Sequence, residues 1–123
     1  MVSYKPESLK EALEIRSREK VTPYAGGTDL MIEAEAEASY LFLMDVPELK
    51  TIETVDGNLE IGAAVTFTQA LDNPLVPELL KEAVRTIAAP AIRNTGTFGG
   101  NIANGSPKAD SALIFAVTDA TLI

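Results

Sequence analysis

Apolar residues near the start of the chain recur with the spacing of an α-helix. Ser8 and Glu11 stand three positions apart, as in a capping box that satisfies the free amides of a first helical turn. The apolar positions that follow predict a helix as far as about Glu19. Its charged residues are expected to face solvent.

Short runs of β-branched, aromatic and apolar residues predict a series of strands. The run 40–44 is apolar without interruption, which is typical of a strand buried on both faces. Asp56-Gly57 lies between two alternating runs and predicts a hairpin. The predicted strands are 2–5, 21–25, 40–44, 51–55 and 59–63, and another strand is expected to begin at 121–123.

Apolar stripes with helical spacing also occur later in the chain. One stripe predicts a helix that begins near Pro77 and ends at Pro90, because the residue before a proline avoids the α region. The other predicted helices are 30–37, 66–71 and 111–117, and 47–49 is a predicted turn.

The most unusual stretch of the sequence is 92–110, which holds four of the 8 glycines among Thr, Asn and Ser residues. Glycine has no Cβ, so backbone amides can approach a ligand closely, and several amides turned one way form a nest for an anion such as phosphate. A plain surface connection has the same composition. The pair Gly26-Gly27, between a predicted strand and a predicted helix, favours the anion site. There, Thr28 or Asp29 also fits a simple helix N-cap.

Charge is unevenly distributed along the 123 residues. The net charge is −8 and the pI about 4.4, which argues against a nucleic-acid-binding or anionic-membrane surface. Residues 1–60 contain 13 acidic and 6 basic side chains, whereas 61–123 contain 5 and 4. A phosphate ligand is therefore repelled less by the second half.

The sequence contains no cysteine and no histidine. Their absence excludes disulfides, thiolate metal sites and iron–sulfur ligation by this chain. Any redox chemistry is therefore expected to belong to an organic cofactor. No apolar run approaches the roughly 20 residues that span a membrane, and the N-terminus lacks the features of a signal peptide. We expect a cytoplasmic protein without membrane insertion.

Three motifs together resemble the FAD-binding medium subunit of the molybdenum hydroxylases, enzymes of the xanthine dehydrogenase and carbon monoxide dehydrogenase type. The motifs are 24–30 (Tyr-Ala-Gly-Gly-Thr-Asp-Leu), 92–101 (Ile-Arg-Asn, then Thr-Phe-Gly-Gly-Asn) and 106–110 (Ser-Pro-Lys-Ala-Asp). Their order and separation agree with the family over essentially the whole chain. Phe98 departs from the pattern, since a branched aliphatic residue is usual there.

The resemblance implies an α+β fold, the FAD-binding fold of the vanillyl-alcohol-oxidase or p-cresol methylhydroxylase type. Two small α+β subdomains hold FAD between them in this fold. Residues 1–55 would form the first subdomain and 56–123 the start of the second. Family members continue well past this length, so the second subdomain is expected to be incomplete and the family's C-terminal domain to be absent.

The resemblance also assigns the cofactor site. Backbone amides and hydroxyls on two sides are expected to hold the FAD pyrophosphate, and Asp110 to accept hydrogen bonds from a ribose or ribityl hydroxyl. Arg93 fits either a phosphate contact or an ion pair, and Tyr24 fits either a flavin-stacking ring or a core residue. No catalytic residue and no metal ligand is expected on this chain. The expected cofactor-binding residues are Ala25, Gly26, Gly27, Thr28, Asp29, Leu30, Thr97, Phe98, Gly99, Gly100, Asn101 and Asp110.

The implied function is that of an oxidoreductase subunit that relays electrons. In this family the substrate is hydroxylated at a molybdenum cofactor on a large subunit, and two-iron two-sulfur clusters on a small subunit carry the electrons to FAD. The medium subunit then passes them to NAD or another acceptor.

Two alternatives stay open at this point. One is a stand-alone flavin reductase of the same fold, although that group carries an Asn-Ala-Gly segment that is absent here. The other is a non-catalytic fragment or module that no longer binds FAD. In the family the isoalloxazine ring lies partly against residues beyond position 123, so FAD binding by this chain alone is expected to be weak or absent.

Overall fold

The computed structural model describes residues 2–27, 37–87, 90–104 and 110–123. The helix predicted over 30–37 falls outside this part of the chain except for its last residue, which lies in a turn. Most of the other predicted elements are present, with bounds that differ from the expected ones by one to three residues.

The first half forms a parallel three-stranded sheet. Strands β1 (Ser3–Tyr4) and β2 (Thr22–Tyr24) both pair with β3 (Tyr40–Phe42), so the order across the sheet is β1-β3-β2. The central position of β3 agrees with its continuous apolar sequence. Leu41 is buried, and the aromatic residues on either side of it are half-buried.

Helix α1 (Leu9–Arg18) covers one face of this sheet. The predicted cap is present, since the Ser8 hydroxyl accepts a 3.1 Å hydrogen bond from the Glu11 amide. The Glu11 carboxylate accepts from the amide of Glu7, one residue before the cap, and so only half of the capping box forms. The buried side of α1 and the sheet share one core, formed by Ala12, Ile15, Val21, Leu41 and Val46.

The predicted hairpin at Asp56-Gly57 is confirmed. Strands β4 (Ile52–Val55) and β5 (Asn58–Ile61) pair antiparallel. Asp56 and Gly57 have φ values of 49° and 80°, the two consecutive left-handed residues of a type I′ turn. The segment Pro47–Leu49 that leads to the hairpin is one turn of 3-10 helix, where a turn was predicted.

Helices form most of the second half. Helix α2 (Phe67–Asp72) begins with a complete capping box between Thr66 and Gln69. Helices α3 (Glu78–Thr86) and α6 (Asp110–Val117) pack on each other. Together they enclose a second core, formed by Val65, Phe67, Ala70, Val76, Leu80, Val84 and Phe98. The division at residue 55 stays a prediction.

Three expectations about the second half are wrong. Helix α3 ends at Thr86, and Pro90 begins a short helix, α4 (Pro90–Arg93), because proline suits a first helical turn. The stretch 92–110 is also no continuous loop, since it contains the end of α4, the start of α6 and all of α5 (Phe98–Ala103). Residues 121–123 form no strand.

The described helices are short. The longest, α1, has ten residues, and a membrane-spanning helix needs about 20. Accordingly, in the described residues no helix has the length and apolar character to cross a bilayer. The cytoplasmic location stays a prediction.

Candidate functional site

The two glycine motifs meet in the folded chain. Gly26 lies so close to the segment after α4 that an added Cβ would overlap the carbonyl oxygen of Thr95, with the Gly96 Cα at 3.2 Å. Backbone is therefore packed directly on backbone, which only glycine permits here. The contact brings residues of the first half against the stretch 92–110.

Gly27 gives the first motif its turn. Its φ of 69° is in the left-handed region that favours glycine, and the ring of Tyr24 lies where a Cβ would project. Tyr24 also contacts the rings of Phe42 and Tyr40, with centroids at 4.8 and 5.7 Å. The structure therefore places Tyr24 in an aromatic cluster on the sheet.

Three amides of the first motif have no hydrogen-bond acceptor within the described residues. Strand pairing ends with the hydrogen bond from the Leu43 amide to the Tyr24 carbonyl, 2.8 Å long. Beyond it, the N–H groups of Ala25, Gly26 and Gly27 have no acceptor within the described residues. Consecutive unpaired amides near a left-handed residue are the components of an anion nest.

The amides of the second motif are used inside the protein. The Phe98 amide donates to the Val65 carbonyl at 3.3 Å and the Gly99 amide to the Ala63 carbonyl at 2.9 Å. Thr97 accepts the other two bonds, with its side chain from Gly100 at 3.1 Å and with its carbonyl from Asn101 at 3.0 Å. Each of the four donors thus already has a partner.

The second motif has no room for a side chain at Gly99. A Cβ on Gly99 would lie 2.7 Å from the carbonyl oxygen and 2.9 Å from the Cβ of Ala63. Phe98, the neighbour that departs from the family pattern, is buried and packs edge-on against Phe67 and Phe115, with centroids at 5.0 and 5.8 Å. Its side chain therefore belongs to the second core.

A cleft of about 210 Å³ lies between the two motifs. Backbone and small side chains form most of its wall, so a ligand would approach the main chain closely. None of its lining residues is charged. The lining residues are Pro23, Ala25, Leu43, Ala63, Ala64, Gly99, Gly100 and Ala103.

Sequence reasoning had named only Ala25, Gly99 and Gly100 among the lining residues. The others are alanine, proline and leucine residues, which carry no chemical signal of a site. The small residues Gly-Ala-Ala at 62–64 are the signal in the sequence for this wall. In the structure the segment is closely packed, and a Cβ on Gly62 would overlap the Leu49 carbonyl.

Asn101 makes a hydrogen bond that the sequence did not reveal. The hydroxyl of Ser111, a fully buried residue on α6, donates to the Oδ1 atom of Asn101 on α5. Asp110 is the first residue of α6, and its side chain lies outside the description. Thr28, Asp29 and Leu30 lie outside the described residues.

Arg93 lies at the end of α4, where its guanidinium donates a 2.9 Å hydrogen bond to the carbonyl oxygen of Arg85. That carbonyl is in the last turn of α3, where a cation also interacts well with the helix dipole. The contact is structural, and the predicted choice between a phosphate and an acidic partner stays open.

The whole chain, residues 1–123, matches the family model described as the FAD binding domain in molybdopterin dehydrogenase. The xanthine dehydrogenase FAD-binding subunit of Escherichia coli O157:H7 is 39% identical over 106 residues, which cover 80% of this chain and 36% of that protein. The nicotinate dehydrogenase FAD-subunit of Eubacterium barkeri is 32% identical over 130 aligned positions, covering 98% and 44%.

Solved structures show the same fold. Quinoline 2-oxidoreductase from Pseudomonas putida 86 matches with a TM-score of 0.84 and 26% identity, over 94% of this chain and 44% of that one. Reconstituted CO dehydrogenase from Oligotropha carboxidovorans matches with a TM-score of 0.83 and 28% identity, over 90% and 42%. The chain thus spans less than half the length of these relatives.

Proposed function

The chain belongs to the family of FAD-binding domains in molybdopterin dehydrogenases, and we propose that it is the FAD-binding part of a medium subunit in a molybdenum hydroxylase. The oxidoreductase would be of the xanthine dehydrogenase or carbon monoxide dehydrogenase type. Its partners would be an iron–sulfur small subunit and a molybdenum large subunit, each with its own cofactor. NAD or another acceptor would take the electrons.

One observation carries the proposal: Gly26 packs on the backbone at Thr95. This contact sets the unpaired amides of 25–27 beside a cleft whose opposite wall includes Gly99 and Gly100. A diphosphate is an extended anion that needs donors and close backbone approach, and both are present here. The residues of the site therefore fit the diphosphate part of FAD.

The two motifs have different roles in this proposal. Ala25, Gly26 and Gly27 donate their amides to the diphosphate, and Thr28, Asp29 and Leu30 continue this donor side. Thr97, Phe98, Gly99 and Gly100 form a rigid wall, because the amides of the last three are held by Val65, Ala63 and Thr97. Asp110 accepts from a ribose or ribityl hydroxyl, and Asn101 is a further cofactor-binding residue.

Local dipoles explain how an acidic chain would hold an anion. With a net charge of −8, the protein as a whole repels a diphosphate. Three unpaired amides supply positive potential at one place without a basic surface. When bound, FAD would supply the electron-accepting and electron-donating chemistry, and the chain's part is to bind and orient it.

The test is to purify the protein from its own host together with the polypeptides that accompany it, and to record the visible spectrum. Flavin absorbance, with iron and molybdenum in stoichiometric amounts, is the expected result. A preparation without flavin, even after incubation with FAD, would contradict the proposal. Turnover of NADPH by the protein alone would favour a stand-alone flavin reductase.

A second measurement uses the 123-residue chain alone. We expect weak or no binding when FAD is titrated into it, since part of the flavin's surroundings lies beyond position 123 in the family. Saturable micromolar binding would show that the two glycine motifs suffice. That result would support the FAD site but contradict the expected need for residues beyond position 123.

A further inference from the structure

We propose that Tyr24 preorganises the donor side of the cleft: its ring holds the turn at Gly27 in place and does not itself touch the cofactor. This inference rests on the FAD site proposed above. The sequence left a flavin-stacking ring and a core residue as alternatives for Tyr24, and the inference replaces both with a positioning role.

The first support is the contact between the ring and the turn. A Cβ added to Gly27 would overlap the hydroxyl end of the Tyr24 ring, so the ring lies directly against the Gly27 main chain. Glycine has the largest backbone freedom of any residue, and the φ of 69° at Gly27 is only one of the values open to it. A ring packed against its Cα restricts that freedom. The amides of 25–27 therefore keep their arrangement before a ligand arrives.

The second support is the direction in which Tyr24 projects. Pro23, in β2, and Ala25, directly after β2, both line the cleft. Side chains alternate between the two faces along a strand, so the side chain of Tyr24 projects to the opposite face. Its ring therefore contacts the turn from behind and does not face a ligand in the cleft.

The third support is the packing that fixes the ring itself. Tyr24 lies beside Phe42 in the register of the sheet, with ring centroids 4.8 Å apart, and Tyr40 meets it edge-on at 5.7 Å. Phe42 is held in turn by Lys5, whose Nζ atom lies 5.9 Å from the ring centroid, within the range of a cation–π interaction. Leu41, between Tyr40 and Phe42, is buried with α1, so this aromatic cluster lies on the other face of the sheet. The ring of Tyr24 thus has a fixed position from which to support the turn.

The test compares FAD dissociation constants in the protein purified with the polypeptides that accompany it. Tyr24→Leu is expected to weaken binding roughly tenfold, because binding must then order the backbone of one more residue, Gly27. Tyr24→Phe keeps the ring and should restore most of that affinity. The visible spectrum of bound FAD should be the same in wild type and in both variants, since the ring does not touch the flavin.

Phe42→Leu tests whether the aromatic cluster acts through Tyr24. Phe42 is not among the residues that line the cleft, yet its loss leaves the Tyr24 ring without support on one side. The dissociation constant should rise by a smaller factor than in Tyr24→Leu. The double variant should bind like Tyr24→Leu alone, because both changes release the same turn. Fully additive losses would contradict the inference.

Ile15→Ala is the matched control for general loss of stability. Ile15 is buried on α1, in the core on the opposite face of the same sheet, so this variant destabilises the first half without touching the aromatic cluster. Its melting temperature should fall at least as far as that of Tyr24→Leu, with FAD affinity unchanged when measured well below both transitions. If Ile15→Ala weakened FAD binding as much as Tyr24→Leu, the positioning role would be wrong.

Other outcomes separate the inference from its premise. If Tyr24→Phe lost as much affinity as Tyr24→Leu, the hydroxyl would be a direct donor and the inference would be wrong. A shift of the visible band of bound FAD in Tyr24→Leu would identify a stacking ring, with the same consequence. Equal FAD binding by wild type and Tyr24→Leu would also overturn the inference, while leaving the FAD site intact. A wild-type protein that binds no FAD would overturn both.

Discussion

The two glycine pairs of the molecule, Gly26-Gly27 and Gly99-Gly100, use their backbone amides in different ways. Those of the first pair have no acceptor within the described residues, and those of the second pair are bonded to Ala63 and Thr97. Both pairs need small residues, the first for its packing on Thr95 and its positive φ, the second for its packing on Ala63.

A Gly-Gly pair in a sequence therefore indicates close backbone approach, but not what the backbone approaches. In the first motif the amides of Gly26 and Gly27 stay unpaired within the described residues. In the second, the protein itself satisfies the first turn of α5, and the glycines let α5 lie against the residues after β5. The donor side and the wall of the cleft are therefore separate parts.

Gly26→Ala should have the largest effect. Its Cβ would overlap the Thr95 carbonyl, and relief requires the two motifs to move apart, at a cost of about 1–3 kcal/mol or more. We expect a lower denaturation midpoint and loss of FAD from the purified protein. Gly57→Ala is the control for backbone strain alone, because Gly57 has a positive φ but open space around it. Equal effects of the two changes would mean that the contact with Thr95 is unimportant.

Thr97→Ala should have the next largest effect, and it should act mainly on stability. Thr97 is buried and caps α5 by accepting from the Gly100 amide, and loss of such a cap costs about 0.5–2 kcal/mol. Thr97→Ser keeps the cap and should restore most of the unfolding free energy in urea. If Thr97→Ala lowered FAD affinity without lowering stability, the hydroxyl would be a ligand and the wall assignment would fail.

Gly100→Ala should change stability by less than about 1 kcal/mol, because alanine favours the helix while its Cβ would lie 3.0 Å from the Thr97 hydroxyl oxygen. Gly100 lines the cleft, so FAD affinity should fall even though the fold is retained. Thermal unfolding and FAD titration of the same sample would measure both. Unchanged affinity would show that the cofactor does not approach this part of the wall.

Glu78→Gln should have the smallest effect and serves as a control, because it removes only the charge of an exposed side chain. The hydrogen bond and charge of Arg85, 2.6 Å away, lower the pKa of the exposed Glu78 carboxyl. Its stabilising effect is therefore present above the unfolded-state pKa and is lost as the pH falls through the lower folded-state pKa. The variant should remove this small pH dependence of the melting temperature and leave FAD binding unchanged. Weaker FAD binding would mean that a substitution on α3 alters the cleft.

Much of the fold follows from local patterns. The hairpin at Asp56-Gly57 and the helix cap at Ser8 each depend on a few adjacent residues, so their sequence signals are specific. The bounds of the helix before Pro90 were wrong because proline is acceptable both after a helix and at the start of the next one. The helix α5 was missed because two of its six residues are glycine, and only its cap and its packing stabilise it.

The sequence motifs predict where the site lies, but not which of its backbone amides remain unpaired. The motif at 24–30 and the motif at 92–101 indicated backbone donors on two sides. Hydrogen bonds between residues distant in sequence, such as Gly99 to Ala63, decide which donors stay available. The Ser111–Asn101 bond likewise depends on how α6 meets α5. Neither can be read from spacing along the chain.

The strand order β1-β3-β2 also determines when the first motif can take shape during folding. The two strands that are synthesised first do not pair with each other, and each waits for β3. Ala25 to Gly27 leave the end of β2, so their turn has no fixed support until Tyr40–Phe42 has inserted between its neighbours. Contacts between distant segments form slowly because chain entropy is lost first. A ribosome-bound chain that stops before residue 42 would therefore contain Gly26 and Gly27 but not their folded turn.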